Sequence, residues 1–480
     1  MKSRLASLLC AFALVAGFAL LGWLAWTWWE SRLPGRYDVT DYGVVDLGGG
    51  PQGSRRAFSV GDRKGEPGKP GLRVTLTAEK ARVKLASGAE VEAWTFDGRV
   101  PGPELRIRQG ELAEITLVNK DIGDGVTIHW HGVDVPNAED GVAGVTQDAV
   151  RPGERYTYRF RPEQVGTFWY HTHENASNGV ERGLYGPLVI LPRKPPAPAL
   201  DLALPVHTFS GHAVIGTNDG VERRPVAPGT RVRLRFVNTD SSPLRIRLAG
   251  MQASVAAIDG GEIEPAPIPQ GEALEIGAGG RYDIVFRMPR SAVSAEVAGS
   301  RAALVLSPDG SGEPPRAPSR PAFDPAARKA ATPARLGQFD RTFRLEIGRK
   351  IGFIDGHPGR HWAINGKLYP GTPMFMVAQG DLVRIVLVND SGGVHPMHLH
   401  GHHFLVLTRN GKAVRPWSAD TLNMLPHERY EVAFTANNPG LWMLHCHNLA
   451  HAADGLTMHV MYAGAMTPFR AGDAAHNHPE

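Results

Sequence analysis

The sequence predicts an all-β chain, three β-sandwich domains in tandem behind one N-terminal apolar helix. Three observations carry that expectation. From Leu72 onward the chain runs in short alternating or apolar stretches broken by Gly, Pro, Asp and Asn, the pattern of antiparallel sandwiches. A unit of that pattern recurs. Gln109, Gly110, Glu111, Leu112 leads into Ile115, Thr116, Leu117, Val118, Asn119, and Gln379, Gly380, Asp381, Leu382 leads into Ile385, Val386, Leu387, Val388, Asn389. A middle copy runs from Pro228, Gly229, Thr230 to Leu234, Arg235, Phe236, Val237, Asn238. Finally, residues 5 to 29 are almost uninterrupted apolar sequence.

That apolar run opens the chain. At 1.5 Å per residue a helix over it reaches roughly 37 Å, enough to cross a bilayer. Lys2 and Arg4 precede it, and Trp23, Trp26, Trp28 and Trp29 form an interfacial aromatic belt at its end. No small-x-small cleavage site follows, so residues 1–33 are expected to be an uncleaved signal anchor and transmembrane helix that holds the catalytic domains on the extracytoplasmic side. Cleavage would instead release a secreted protein.

Residues 34–71, rich in Gly, Pro and charge, are expected as an extended arm or linker. The first sandwich is assigned to 72–195 and the second to 196–307, parted by Pro192, Pro195, Pro196 and Pro198. A Pro-, Ala- and Arg-rich linker fills 308–338, the third sandwich 339–467, and a flexible tail 468–480.

Charge excludes one class of function. The 52 basic and 48 acidic residues are interspersed without long blocks of one sign, so no nucleic-acid partner is expected. Only two cysteines occur, Cys10 in the leader and Cys446, which rules out a disulfide framework within the domains. Cys446 lies in His445, Cys446, His447, Asn448, Leu449, Ala450, His451, where a lone thiol among histidines points to metal.

Four His-x-His pairs stand at matching places in the two outer copies: His129 with His131, His171 with His173, His398 with His400, and His445 with His447. On a strand each pair projects both imidazoles from one face. Cys446 then points away from its two neighbours, so one strand can serve two metal sites, and thiolate with imidazole suits copper. The second half of the unit repeats as well. Glu154, Arg155, Tyr156 precedes His171 as Glu428, Arg429, Tyr430 precedes His445, whereas after Gly280, Arg281, Tyr282 the middle copy has Val297 where a histidine would stand.

These motifs, with His395, Pro396, Met397 before His398 and Gly132 and Gly401 closing two of them, resemble those of three-domain, laccase-like multicopper oxidases over residues 72 to about 465. The resemblance implies cupredoxin-like Greek-key sandwiches and four copper ions. It implies that His395, Cys446 and His451 bind the type 1 copper and His129 and His398 the type 2 copper. His131, His171, His173, His400, His445 and His447 would hold the binuclear type 3 pair, without deciding which ring serves which ion. The implied reaction takes single electrons from a phenolic or aromatic reductant, or from a metal ion such as Cu(I), and passes four to O2 to make water. A copper-binding or copper-homeostasis protein without turnover and a copper nitrite reductase-like enzyme are the alternatives; the complete type 3 set argues against the second.

Two departures bear on mechanism. By the resemblance the residue ten after Cys446 would set the axial position; it is Leu456, which cannot coordinate, and this implies a three-coordinate type 1 site of raised potential. Ala452 replaces the glutamate many bacterial relatives carry, so Asp140, eleven residues after His129, is the expected proton donor. His395, three residues before His398 and ahead of a proline, is expected on a loop above the strand. His402 is expected to pack near the type 3 ligands, and His476 and His478 to lie in the flexible tail.

Overall fold

The computed structural model describes residues 2–480 except 54–55, 195–199, 314, 316–320 and 328–335, and for residues 2–7 the backbone alone. Three two-sheet sandwiches follow one another. The first joins Glu90–Phe96, Leu72–Lys84, Ala113–Asn119 and Arg155–Phe160 in one sheet, and Leu105–Arg108, Tyr185–Leu191, Gly166–His171 and His129–His131 in the other. The middle one has two six-stranded sheets, built around Arg231–Asn238 and Val293–Val297. In the third, Arg341–Ile354, Leu382–Asn389 and Arg429–Thr435 lie centrally in one six-stranded sheet, while Leu441–Cys446 and His395–Leu399 run side by side in the other.

The sequence repeat has a physical basis in one buried asparagine per unit. The Nδ2 of Asn119 donates to the carbonyls of Ile122 and Val150, that of Asn238 to Ser242 and Ile276, and that of Asn389 to Gly393 and Met424. Each amide thus ties the loop after its strand to a distant carbonyl. The strands of the unit also align: Leu117 faces Tyr156, Phe236 faces Tyr282 and Leu387 faces Tyr430.

The apolar leader is a helix, Lys2–Ser31, of which Leu8–Ser31 is long and apolar enough to cross a membrane, with mean hydropathy 2.4 and its described side chains mostly exposed. Its end is clasped by the 355–356 turn of the third sandwich. Trp28 Nε1 donates to the Gly356 carbonyl at 3.0 Å, and the Asp355 amide to the Ser31 carbonyl at 3.1 Å.

The arm after the helix is stitched down along its length. Val45–Asp46 pairs with Met374 and Phe375, Phe58–Ser59 with Ala465 and Met466, and Tyr37 bridges to Ala471. The Gly-rich loop is ordered by its own carbonyls: buried Arg341 donates to Leu47 O at 2.7 Å and Pro51 O at 2.6 Å. Of the 308–338 linker, Ala322–Phe323 joins the middle sandwich beside Ala273 and Leu274; much of the remainder, and the 195/196 boundary, lie outside the described residues.

Candidate metal centre

Strand alternation sorts the ligand candidates. Met397 lies opposite Cys446 and His398 opposite His445. Cys446 and Met397 therefore share one face, and His445 and His398 the other. His395 differs from its expected place on a loop: it is the first residue of the strand His395–Leu399. Its three-residue offset from His398 is odd, so alternation alone turns it to the Cys446 face. From the first sandwich, His129–His131 pairs with Gly166–His171 so that His129 opposes His171. His173, His400 and His447 sit just past the ends of their strands.

Eight imidazoles converge between the first and third sandwiches, each at most 1% exposed. His131, His171 and His447 form one trio and His173, His400 and His445 another, the candidate ligand atoms within each lying within 4.8 Å of one another. His129 and His398 bring their Nε2 atoms to 3.5 Å. Among the described residues His131 Nδ1, His171 Nε2, His173 Nε2 and both nitrogens of His447 have no hydrogen-bond partner. Each buried orphan costs about 1–3 kcal/mol, so this many in one volume fits a metal cluster and not a packed core. Burial, with the neighbouring rings, pushes the pKa of His131, His171, His173, His400, His445 and His447 well below the ordinary range. Neutral rings with free lone pairs are what copper requires.

Surrounding oxygens choose the tautomers. His129 Nδ1 faces the Asp140 carbonyl at 3.0 Å, His171 Nδ1 the Thr172 carbonyl at 2.8 Å, and His398 Nδ1 the Asp420 carbonyl at 2.9 Å. His400 Nδ1 faces Asp140 Oδ2 at 3.0 Å, and His445 Nδ1 the Cys446 carbonyl at 3.1 Å. Each N–H pointed outward leaves Nε2 for the centre. His131 is reversed: its Nε2 meets Asp420 Oδ1 at 3.1 Å, which leaves Nδ1 inward.

Asp420 and its partners were not apparent in the sequence. Asp420 belongs to the third sandwich, and both its oxygens take N–H groups from Arg281 of the middle one, whose Nε donates to Thr167 O of the first at 3.1 Å. Asp259 accepts the Arg281 amide and the Thr421 amide. Burial and the Asp420 charge raise Asp259, whereas Arg281 overcomes burial and holds Asp420 well below the carboxylate range. The partners are 139 residues apart, and only the recurrence of Arg281 in the repeat hinted at a role.

The third cluster is separate. Cys446 Sγ lies 3.6 Å from His395 Nδ1 and 3.8 Å from His451 Nδ1. Ser391 Oγ accepts His395 Nε2–H at 2.8 Å, while Asn448 caps the short helix Leu449–Ala453 that presents His451. Burial lowers His395 to about 3 and His451 to about 4, and pushes the Cys446 thiol up. Trp362 packs against both rings at centroid distances of 4.5 Å. Leu456 is fully buried, its carbonyl accepting the Cys446 amide at 3.0 Å. His451 also walls a cavity of about 450 Å³ open to solvent.

The C-terminal residues differ from the flexible tail expected of them. Asn477 bonds Ala149 N and Asp148, and His478 pairs with buried Glu174 at 3.1 Å and with Asp473 at 2.9 Å. The Pro479 carbonyl meets His173 Nδ1 at 2.6 Å, and the Glu480 side chain reaches within 3.2 Å of His445 Nδ1. His402 is held by Tyr462 Oη at 2.7 Å, and buried Ala452 offers no polar group at its position.

Family profiles described as multicopper oxidase match residues 77–195 and 349–465. The chain is 28% identical over 457 residues to multicopper oxidase MmcO of Mycobacterium tuberculosis, covering 81% of this chain and 86% of that protein. It is 25% identical to Laccase-1 of Botryotinia fuckeliana, covering 78% and 79%. Among solved structures, a multi-copper oxidase from Pseudomonas thermotolerans superposes with TM-score 0.67 at 29% identity, covering 85% of this chain and all of the other.

Proposed function

We propose ligand roles, a reductant class and a location for this chain, which is a laccase-like multicopper oxidase: an enzyme that uses copper to couple oxidation of its substrates to reduction of O2. The observation that carries the ligand assignment is the Leu441–Cys446 strand and the residue after it. Cys446 faces the His395 and His451 set, and the residues on either side of it belong to two different histidine trios. We assign His395, Cys446 and His451 to type 1 copper and His129 with His398 to type 2. One type 3 ion takes His131, His171 and His447, the other His173, His400 and His445. Bound copper would supply one-electron chemistry at the first set and O2 reduction at the others. The chain's contribution is to hold neutral rings with chosen tautomers and to join the sets through one stretch of backbone.

The alternation that separates His395 from His398 also separates a substrate side from an oxygen side. On the substrate side the reductant we assign is a phenol or other aromatic, since Trp362 and an open cavity flank His451. Oxygen uptake with a phenol, Cu(I), Fe(II) and Mn(II) in parallel tests this; turnover confined to metal ions would overturn it. The exposed apolar helix supports a membrane anchor with the sandwiches on the extracytoplasmic face. Mature protein lacking residues 1–33 in the soluble fraction would replace that reading with secretion.

On the oxygen side we assign Asp140 to orient His400 and, with Ala452 offering no acid, to hand on protons there. Asp140→Asn is expected to retain copper and lose about 10–100-fold in turnover; full activity at full copper content would remove Asp140 from the mechanism. Leu456→Met would place a thioether where none can now coordinate. The type 1 potential is expected to fall by about 59 mV for each tenfold gain in preference for the oxidised ion, read by redox titration of the visible band.

A further inference from the structure

We propose that the cavity beside His451 selects anionic aromatic reductants, phenols carrying a carboxylate or sulfonate, by seating the anion on Arg349 and Arg360. This deepens the aromatic reading above and rests on it. Both arginines and Trp362 belong to the hairpin of Arg341–Ile354 and His357–Ile364. Arg349 lies directly opposite Trp362 in the ladder, and Arg360 is two residues from Trp362 along its strand, so all three share a face.

The arrangement is preorganised. The Arg349 guanidinium carbon sits 3.7 Å from the Trp362 ring centroid, and its Nη1 donates to the Arg360 carbonyl at 3.0 Å. Trp362 in turn packs against His395 and His451. A planar fork fixed over an aromatic ring presents its remaining N–H groups to a carboxylate in bidentate geometry at little entropic cost. Neither arginine forms an ion pair among the described residues, although both line the cavity. Charged neighbours come from the facing loops: Asp390 beside Ser391 and the exposed His427. Asp454, which also acts on His451, is engaged by His361 at 2.6 Å, and among the residues that line the cavity itself two guanidiniums face one carboxylate, so its wall is positive.

A volume of about 450 Å³ holds a one- or two-ring aromatic. With its anion on the arginines, a bound phenol can place its ring near the exposed edge of His451. Each phenol would give up one electron to the bound copper and the proton of its broken O–H bond to solvent. Four phenols and one O2 then give four phenoxyl radicals and two waters. The same positive mouth repels Cu(I), Fe(II) and Mn(II).

The test uses the copper-loaded, full-length enzyme with three phenols of like ring substitution, one neutral, one carboxylated and one bearing a trimethylammonium group. The ratio of kcat/KM for the carboxylated to the neutral phenol should exceed one, fall with ionic strength, and drop about tenfold in Arg360→Gln and again in Arg349→Gln, the loss expected for one charge-assisted contact. Benzoate, which has no oxidisable hydroxyl, should bind by calorimetry and bind more weakly to both variants. The visible band reports whether the type 1 site survives; Arg360→Gln, more remote from the ligands, keeps the test decisive if Arg349→Gln disturbs it. Equal kcat/KM for all three phenols, or unchanged benzoate affinity in Arg360→Gln, overturns the proposal while leaving the aromatic reading intact. Oxidation of Cu(I) with no phenol turnover overturns the aromatic reading itself.

Discussion

Cys446→Ser will abolish turnover with every reductant and remove the strong visible absorption, while lowering copper content by one ion per chain. Two physical arguments lead there. A buried serine hydroxyl does not ionise, and oxygen lacks the soft character that lets a thiolate hold copper in either oxidation state. Sγ is also the atom that reaches the His395 and His451 face, at 3.6 and 3.8 Å, from a residue whose peptide neighbours His445 and His447 belong to the two trios. The histidine trios draw nothing from the Cys446 side chain, because their rings are oriented by Asp140, Asp420 and backbone carbonyls, that of Cys446 among them, which serine retains. Spectroscopy of the variant should therefore show intact type 2 and type 3 signals. Retained turnover would mean that electrons enter by a path that avoids this strand.

The same locality explains what could be read from the sequence. Placement of the candidate ligands follows alternation along four strands and the residues just past their ends, so the His-x-His pairs and the intervening cysteine report their own faces; the even spacing of His398 and His400 and the odd spacing of His395 belong to one rule. Applied consistently it would have kept His395 in the strand, but Pro396 suggested a break. The proline is accommodated where the strand begins, its residue paired with Asn423. The repeat was legible because each unit needs the same buried asparagine. The chain ends and Arg281 were opaque for a different reason. Glycine, proline and charge suggested an extended arm over 34–71 and a flexible tail over 468–480, yet Tyr37, Val39, Val60 and Ala471 enter the core and polar contacts reach partners hundreds of residues away, such as Arg341 on Leu47 and His478 on Glu174. No local pattern encodes such a contact.

Arg281→Met is expected to destabilise the protein by about 3–5 kcal/mol, because it leaves buried carboxylates without their counter-ion. Arg281 and Asp420 are both fully buried, and Asp259 is 2% exposed, so water cannot take over the lost hydrogen bonds. The guanidinium also touches all three sandwiches at this junction, through Thr167, Gly279 and Asp420. Arg281→Lys keeps the charge but cannot donate to both Asp420 oxygens and the Thr167 carbonyl together, so it should recover only part of the loss. Denaturant unfolding of the two variants measures both terms. A consequence reaches the metal centre: Asp420 holds His131 with Nε2 outward, and a carboxylate freed from Arg281 no longer has a fixed position from which to do so. Copper should therefore leave the type 3 pair of Arg281→Met more readily than the type 1 site, where Ser391, Asn448 and Trp362 do the positioning. Wild-type stability in Arg281→Met, or equal loss of copper from all sites, would show that the three sandwiches are joined by their apolar contacts and that the ion pair is incidental.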